Sequence, residues 1–176
     1  LGRVRILPRT GAAAGFAAAA AMQPNEFRVE RSLAIDAPAE KIFPYLNDPR
    51  KMNDWSPWAK LDPEMKQTYE GSEIGAGAIC SWVGNKKVGE GRQTITESVP
   101  NKLVRTKLEF FKPMQAVNTA DFLLKNENGQ TVVTWSMYGP NNFIGKAMGL
   151  LMNCNKMVGD QFEQGLNSLK AITEKS

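Results

Sequence analysis

The chain has 176 residues, of which 42% are hydrophobic and 23% are charged. This composition allows one domain that buries about 70% of its unfolded surface, and it excludes an intrinsically disordered chain. The net charge of +4 includes the three arginines of residues 1–22, so the remainder is nearly neutral and argues against nucleic-acid binding, which needs clustered Lys and Arg. Because the sequence has no histidine, Ser-His and Cys-His nucleophilic pairs and His-ligated metal sites are excluded. We expect neither a metal site nor a cofactor.

Residues 11–22 form an alanine-rich apolar stretch that follows the segment bearing Arg3, Arg5 and Arg9. This order is typical of a signal peptide or a membrane anchor, but the stretch is too short and too weakly hydrophobic to span a bilayer. We interpret residues 1–22 as a tail, either a truncated anchor or residues added by an expression vector, and assign residues 23–176 to one domain. We expect a cytoplasmic protein, or one tethered to the membrane by a missing N-terminal anchor.

The domain begins with a predicted strand, because Phe27, Val29, Leu33 and Ile35 alternate roughly with polar residues. Asp36 then precedes a proline and an acidic residue, which predicts a helix with Asp36 as its N-cap. Prolines between residues 48 and 65 allow only short helices or loops. Further strands are predicted near residues 66–71, 77–83, 91–98, 103–111, 116–126 and 130–138. The pair Asn128-Gly129 predicts a type I′ hairpin turn between the last two.

The C-terminal part of the sequence predicts one long helix, from about residue 143 to residue 172. Its three glycines, Gly149, Gly159 and Gly165, each cost about 0.5–1 kcal/mol relative to alanine in a helix interior. We attribute Gly165 to close packing on the sheet and Gly149 to mobility that would admit a ligand. The element order predicts an α+β fold with an antiparallel sheet curled around this helix. The inward stripe is Phe143, Ala147, Leu151, Cys154, Val158, Phe162, Leu166 and Leu169.

Several short motifs carry a resemblance to a known family: Trp55-Ser-Pro-Trp58, Tyr69-Glu-Gly71, Gly75-Ala-Gly77, Val88-Gly89-Glu-Gly91 and Thr94-Ile-Thr-Glu-Ser98. From about Phe27 to Lys175 the sequence resembles the polyketide cyclase/dehydrase-like branch of the SRPBCC (START-related) superfamily. The resemblance implies a helix-grip fold, in which a curved antiparallel sheet wraps around a long C-terminal helix, with two short helices after the first strand. It also implies a deep cavity between the sheet and that helix.

Strand parity selects the side chains that face the C-terminal helix, and most of them are apolar. They predict either the lining of a ligand cavity or a filled core. Trp55 and Trp58 would guard the cavity mouth or lock their loop onto the sheet. The candidate ligand-binding residues are Trp55, Trp58, Cys80, Trp82, Ile95, Leu108, Phe110, Phe122, Trp135, Met137, Leu151, Cys154 and Val158.

These observations favour a non-enzymatic protein that carries or senses a hydrophobic small molecule. The alternative is a cyclase or dehydratase, for which Glu97, predicted to face inward, and Tyr138 are the weak catalytic candidates. A third interpretation is a co-chaperone-like or membrane-tethered interaction module, which would need an exposed apolar patch. The expected partner is the small molecule, with no nucleic acid and with membrane association only through the N-terminal segment.

Overall fold

A seven-stranded antiparallel sheet organises the fold in the computed structural model, which describes residues 10–141, 145–146 and 153–175. The strand order is β1-β7-β6-β5-β4-β3-β2, so the chain crosses from one edge of the sheet to the other between its first two strands. Every predicted strand is confirmed to within two residues. The strands are β1 (Glu26–Ile35), β2 (Lys66–Gly71), β3 (Ala78–Val83), β4 (Glu90–Val99), β5 (Leu103–Lys112), β6 (Ala116–Glu127) and β7 (Gln130–Pro140).

The turn between β6 and β7 has the geometry that the sequence predicts. Asn128 has a φ of 54° and Gly129 a φ of 83°, and a type I′ turn requires positive φ at both central residues. Glu127 and Gln130 pair directly across this turn. The turn therefore fixes the register between β6 and β7.

Helices fill the crossing between β1 and β2. They are α2 (Ala39–Asn47), a 3-10 turn (Lys51–Asp54) and α3 (Pro57–Leu61), while α1 (Thr10–Ala21) precedes the sheet. No helix among the described residues is long and apolar enough to cross a membrane. The predicted N-cap Asp36 is wrong, because Pro38 occupies the N-cap position with extended backbone angles and α2 begins only at Ala39. The backbone N–H of Asp36 instead donates to Oε1 of Glu174 at 2.7 Å.

The C-terminal helix α4 (Cys154–Glu174) corrects the prediction of one continuous helix from residue 143. Asn153 is its N-cap: its ψ of 76° is not helical, and its Oδ1 accepts a hydrogen bond from the backbone N–H of Lys156 at 3.0 Å. An apolar periodicity that continues through a good capping residue cannot reveal such a break. Gly149 and the stripe residues Phe143, Ala147 and Leu151 lie outside the described residues, as does the Cys154 side chain.

The core lies between the inner face of the sheet, α2 and α4. Phe162, Leu166 and Leu169 of α4 are at most 1% exposed and pack in one cluster with strand residues such as Val29 and Val133. Gly165 allows this approach, because a Cβ atom there would lie 2.8 Å from Cζ3 of Trp135. This agrees with the packing explanation for Gly165.

Candidate ligand-binding cavity

A cavity of about 250 Å³ lies between the sheet and α4. The 3-10 turn and α3 form a third wall, and Val158 and Phe162 contribute from the helix. The space is therefore not a completely filled core. Its lining is Pro49, Met52, Asn53, Trp55, Ser56, Trp58, Met65, Gln67, Cys80, Trp82, Val88, Gln93, Thr106, Leu108, Phe110, Ala120, Phe122, Trp135, Met137, Val158 and Phe162.

An aromatic cluster around Trp135 forms one side of the cavity. The Trp135 indole stacks on Phe162, with ring centroids 4.0 Å apart and planes 8° from parallel. Phe122 lies 5.0 Å from the same indole, and Trp55 and Trp58 meet it edge-on at 5.4 and 5.6 Å. Offset and edge-to-face pairs of this kind are favourable beyond the area that they bury. This side of the cavity is therefore a rigid aromatic surface.

Trp82 and Phe110 form a second aromatic pair, with centroids 6.0 Å apart. Trp82 lies directly opposite Gly91 in the ladder between β3 and β4. A Cβ atom on Gly91 would come within 2.5 Å of the Trp82 indole, so only glycine leaves room for the ring there. The strand glycine thus positions Trp82 over the inner face of the sheet.

Trp55 and Trp58 have different roles, although both line the cavity. Trp55 is 1% exposed, and its indole N–H donates to the carbonyl oxygen of Tyr45 at 2.9 Å. It therefore locks its loop onto α2. Trp58 is only partly buried between Trp135 and Phe162, and its indole N–H has no acceptor within the described part of the chain.

Three polar side chains converge at the β2 side of the cavity. Asn53 Nδ2 donates to Gln67 Oε1 at 2.6 Å, and Gln67 Nε2 donates back to Asn53 Oδ1 at 2.8 Å. Asn53 Nδ2 also donates to the Tyr69 hydroxyl at 2.8 Å, which in turn donates to Gln67 Oε1 at 2.7 Å. We call Asn53, Gln67 and Tyr69 the amide cluster.

Two weakly acidic groups, the Cys80 thiol and the Tyr69 hydroxyl, keep their protons at neutral pH. Cys80 lies opposite Tyr69 in the ladder, and burial raises the pKa of its thiol to about 11, although the nearby Tyr69 hydroxyl partly opposes this. Burial also raises the pKa of the Tyr69 hydroxyl. Gln93 and Thr106 add two further neutral groups, bonded to Met52 Sδ at 3.2 Å and to the Ala120 carbonyl at 3.2 Å. The polar part of the lining is therefore uncharged.

The structure places both weak catalytic candidates outside the cavity. The register between β4 and β5 shifts between Ile95 and Glu97, so Glu97 turns to the outer face and its carboxylate lies 2.9 Å from Arg105. An inserted residue reverses the alternation that strand parity assumes. Tyr138 also faces outward, where its hydroxyl donates to Asp121 Oδ2 at 3.2 Å.

Most of the predicted ligand-binding residues line the cavity. Ile95 does not: it lies on the inner face but is fully buried in the filled core. Leu151 and the Cys154 side chain are outside the described residues. The predicted residues that line the cavity are Trp55, Trp58, Cys80, Trp82, Leu108, Phe110, Phe122, Trp135, Met137 and Val158.

The sequence analysis missed the amide cluster. Strand β2 carries polar residues on both faces, so no apolar alternation showed which of them point inward. The available signal was parity. An antiparallel pairing of β2 with β3 puts Gln67 and Tyr69 on the same face as Cys80 and Trp82. Asn53 lies in an irregular segment, for which parity gives no information.

Comparisons with known proteins agree with this architecture. A family model described as "Polyketide cyclase / dehydrase and lipid transport" matches residues 26–174. Protein MLL2253 from Mesorhizobium loti has a TM-score of 0.62 and 13% identity, over 85% of this chain and 98% of that chain. The Aha1 dimer from Colwellia psychrerythraea has a TM-score of 0.57 and 20% identity, over 84% of this chain and 96% of that chain.

A third similar structure is the di-domain ARO/CYC StfQ from the steffimycin biosynthetic pathway. Its TM-score is 0.61 at 10% identity, over 85% of this chain but only 51% of StfQ. No curated protein matches the sequence. The likeness to solved structures shows the helix-grip fold. With this fold, and with a match to the family model over residues 26–174, the chain belongs to the polyketide cyclase/dehydrase and lipid transport family.

Proposed function

We propose that this protein binds a hydrophobic small molecule in the cavity between the sheet and α4 and does not transform it. The observation that carries the proposal is a cavity of about 250 Å³ with aromatic walls on two sides. Ligand sites are typically apolar concavities of about 300–1,000 Å³ with a few placed polar groups. The cavity lies just below that range, so the ligand is smaller than a typical drug-sized molecule.

The chemistry of the lining favours binding over catalysis. Its described polar groups are amides, hydroxyls and one thiol, and the pKa of Tyr69 and that of Cys80 are both raised. General base catalysis at neutral pH needs a group with a pKa near the working pH. Tyr69 and Cys80 remain protonated there, so they can donate hydrogen bonds but cannot act as bases.

The second candidate is a cyclase that works by shape alone, and one observation favours it. Asn53, Gln67 and Tyr69 converge within hydrogen-bonding distance of one another at the cavity wall. Such groups could hold a flexible chain in a reactive conformation, which accelerates a reaction without proton transfer by the protein. The two functions differ in outcome: a cyclase releases a product of changed structure, whereas a carrier releases its ligand unchanged.

The test is native mass spectrometry of protein purified from its own host, followed by mass analysis of the extracted small molecule. We expect a species heavier than the polypeptide, and we expect the extracted molecule to rebind unchanged. Ala120 lines the cavity and is 3% exposed, so Ala120→Leu should fill the space and abolish the bound mass. Ala171→Leu, the same change at an exposed position of α4, is the control and should retain it.

A wild-type protein that carries no ligand and binds no hydrophobic probe in calorimetry would contradict the proposal. Conversion of the extracted molecule into a new product by the purified protein would favour the cyclase instead.

A further inference from the structure

The cavity lining contains no charged side chain among the described residues. Of the residues that the structure does not describe, 142–144 and 147–152 include no Lys, Arg, Asp or Glu in the sequence, whereas residues 1–9 include Arg3, Arg5 and Arg9. Lys146 donates to Asn25 Oδ1 at 2.6 Å and is not part of the lining. Arg50 packs over the Tyr69 ring at 4.7 Å and is likewise not part of the lining.

An ionised ligand would therefore have no counter-charge among the described lining residues. Moving a charge from water into an apolar site without a partner is far more costly than moving a neutral polar group that keeps its hydrogen bonds. Ionised carboxylates, including fatty acids, are therefore disfavoured as ligands of the cavity.

The amide cluster shows which neutral group would fit. A primary amide has two N–H donors and two acceptor lone pairs. Both N–H groups of Asn53 are used, and so are both lone pairs of the Gln67 carbonyl oxygen, which accepts from Asn53 and from Tyr69. Gln67 Nε2 uses one N–H on Asn53 Oδ1, and that oxygen accepts only this bond from the described residues. One donor on Gln67 and one acceptor lone pair on Asn53 remain.

We propose that the ligand is an uncharged molecule with an apolar ring body and a hydroxyl group. The hydroxyl accepts from Gln67 Nε2 and donates to Asn53 Oδ1, while the body lies against the aromatic walls formed by Trp135 and Trp82. A hydroxyl matches because it both donates and accepts, whereas a carboxylate only accepts. This inference rests on the proposed function and specifies the chemical class of its ligand.

Calorimetric titration with three probes of the same ring body tests the proposal. The probes are 2-naphthol, naphthalene and 2-naphthoate, of which only 2-naphthoate is ionised at neutral pH. We expect 2-naphthol to bind roughly threefold to tenfold more tightly than naphthalene, which corresponds to a net hydrogen bond. We expect 2-naphthoate to bind at least roughly tenfold more weakly than naphthalene, because its charge is unpaired.

Gln67→Leu removes the free donor and should reduce the preference for 2-naphthol over naphthalene, because only the hydrogen bond to Asn53 Oδ1 remains. The control Gln164→Leu makes the same change at an exposed position of α4 and should keep the preference for 2-naphthol. The order of the three probes on the wild-type protein tests the inference independently of whether Gln67→Leu folds.

Two results would overturn the inference while leaving the proposed function in place. One is equal binding of 2-naphthoate and 2-naphthol, and the other is an unchanged preference for 2-naphthol in folded Gln67→Leu. If none of the three probes binds, the proposed function fails and the inference fails with it.

Discussion

Gly165 determines how closely α4 approaches the sheet. A Cβ atom at this position would lie 2.8 Å from Trp135 Cζ3, 3.1 Å from Pro57 Cδ and 3.4 Å from Trp55 Cζ3. The Trp135 and Trp55 indoles are held in the aromatic cluster, so they cannot move without disturbing the cavity wall. Gly159, six residues earlier, is covered instead by the guanidinium of Arg31, which is the end of a flexible side chain.

We expect Gly165→Ala and Gly159→Ala to have different outcomes, although both replace a glycine within the same helix. Alanine gains about 0.5–1 kcal/mol of helix stability at either position. At Gly165 over-packing against the indoles costs about 1–3 kcal/mol and outweighs this gain. At Gly159 the exposed end of Arg31 must shift, which disturbs its hydrogen bonds to the Glu30 and Asn155 carbonyl oxygens and its ion pair with Glu163. Such a partly exposed ion pair is worth about 0–1 kcal/mol.

Urea denaturation measures the difference. Gly165→Ala should unfold at a lower urea concentration than the wild type, and Gly159→Ala should stay within about 0.5 kcal/mol of it. A stabilised Gly165→Ala would show that the aromatic cluster adapts, and the packing explanation would then be wrong.

Two of the residues that the sequence did not place correctly, Glu97 and Asn53, have positions that depend on irregular backbone. Parity correctly places Cys80, Trp82 and Met137 on the inner face, because their strands alternate without interruption. It fails at Glu97, which follows a register shift that no residue type announces. Asn53, in the 3-10 turn, reaches the amide cluster only through the tertiary fold.

At the scale of elements, the end of α4 is tied to the end of β1. The carboxylate of Glu174 accepts from Lys170 Nζ at 2.6 Å and from the backbone N–H of Asp36 at 2.7 Å. Lys170 Nζ also donates to the Ala34 carbonyl at 3.0 Å. Two hydrogen bonds lower the pKa of the Glu174 carboxyl below its ordinary value. The one from Lys170 has the larger effect, and the one from the Asp36 backbone has the smaller.

This link makes stability depend on pH in a defined direction. A carboxyl whose pKa is lower in the folded protein than in the unfolded chain stabilises the fold above its ordinary pKa, and that stabilisation is lost as the pH falls through the folded value. We expect Glu174→Gln to be less stable than the wild type at neutral pH and to match it once the pH is well below 4.5, the ordinary value.

Urea midpoints measured from neutral to acidic pH test this expectation. Glu70→Gln, on the exposed side of β2, is the control and should follow the wild type throughout. A difference between Glu174→Gln and the wild type that stays constant with pH would mean that the carboxylate charge is not the stabilising feature.

The elements themselves were predictable because each has a local signal. The alternation of apolar residues and the Asn128-Gly129 turn located the strands to within two residues. The start of α4 was not predictable, since the apolar spacing runs on through Asn153 while the capping hydrogen bond to Lys156 depends on one backbone angle. Likewise, the sequence did not show that the chain bends after β1 and that α2 begins only at Ala39.

At the scale of the whole molecule, the crossing from one sheet edge to the other explains why a cavity exists. The segment between β1 and β2 carries α2, the 3-10 turn and α3 across the open side of the sheet, beside α4. Trp55 fixes this segment through Tyr45, so the sheet, the crossing and α4 enclose a space that the core side chains do not fill. Composition predicted one domain with an apolar interior, but only the topology shows where that interior stays open.

The aromatic walls give the protein an optical property. The chain has four tryptophans, Trp55, Trp58, Trp82 and Trp135, and all of them line the cavity. Any ligand that enters replaces the surroundings of the indoles, so the intrinsic fluorescence should change in intensity and wavelength without an added label. A saturating ligand that neither absorbs nor emits in the range of the indoles and leaves the emission unchanged would be bound elsewhere. Replacing Trp82 or Trp135 by phenylalanine, one at a time, would show which of these tryptophans is responsible for the change in emission, and therefore at which end of the cavity the ligand lies.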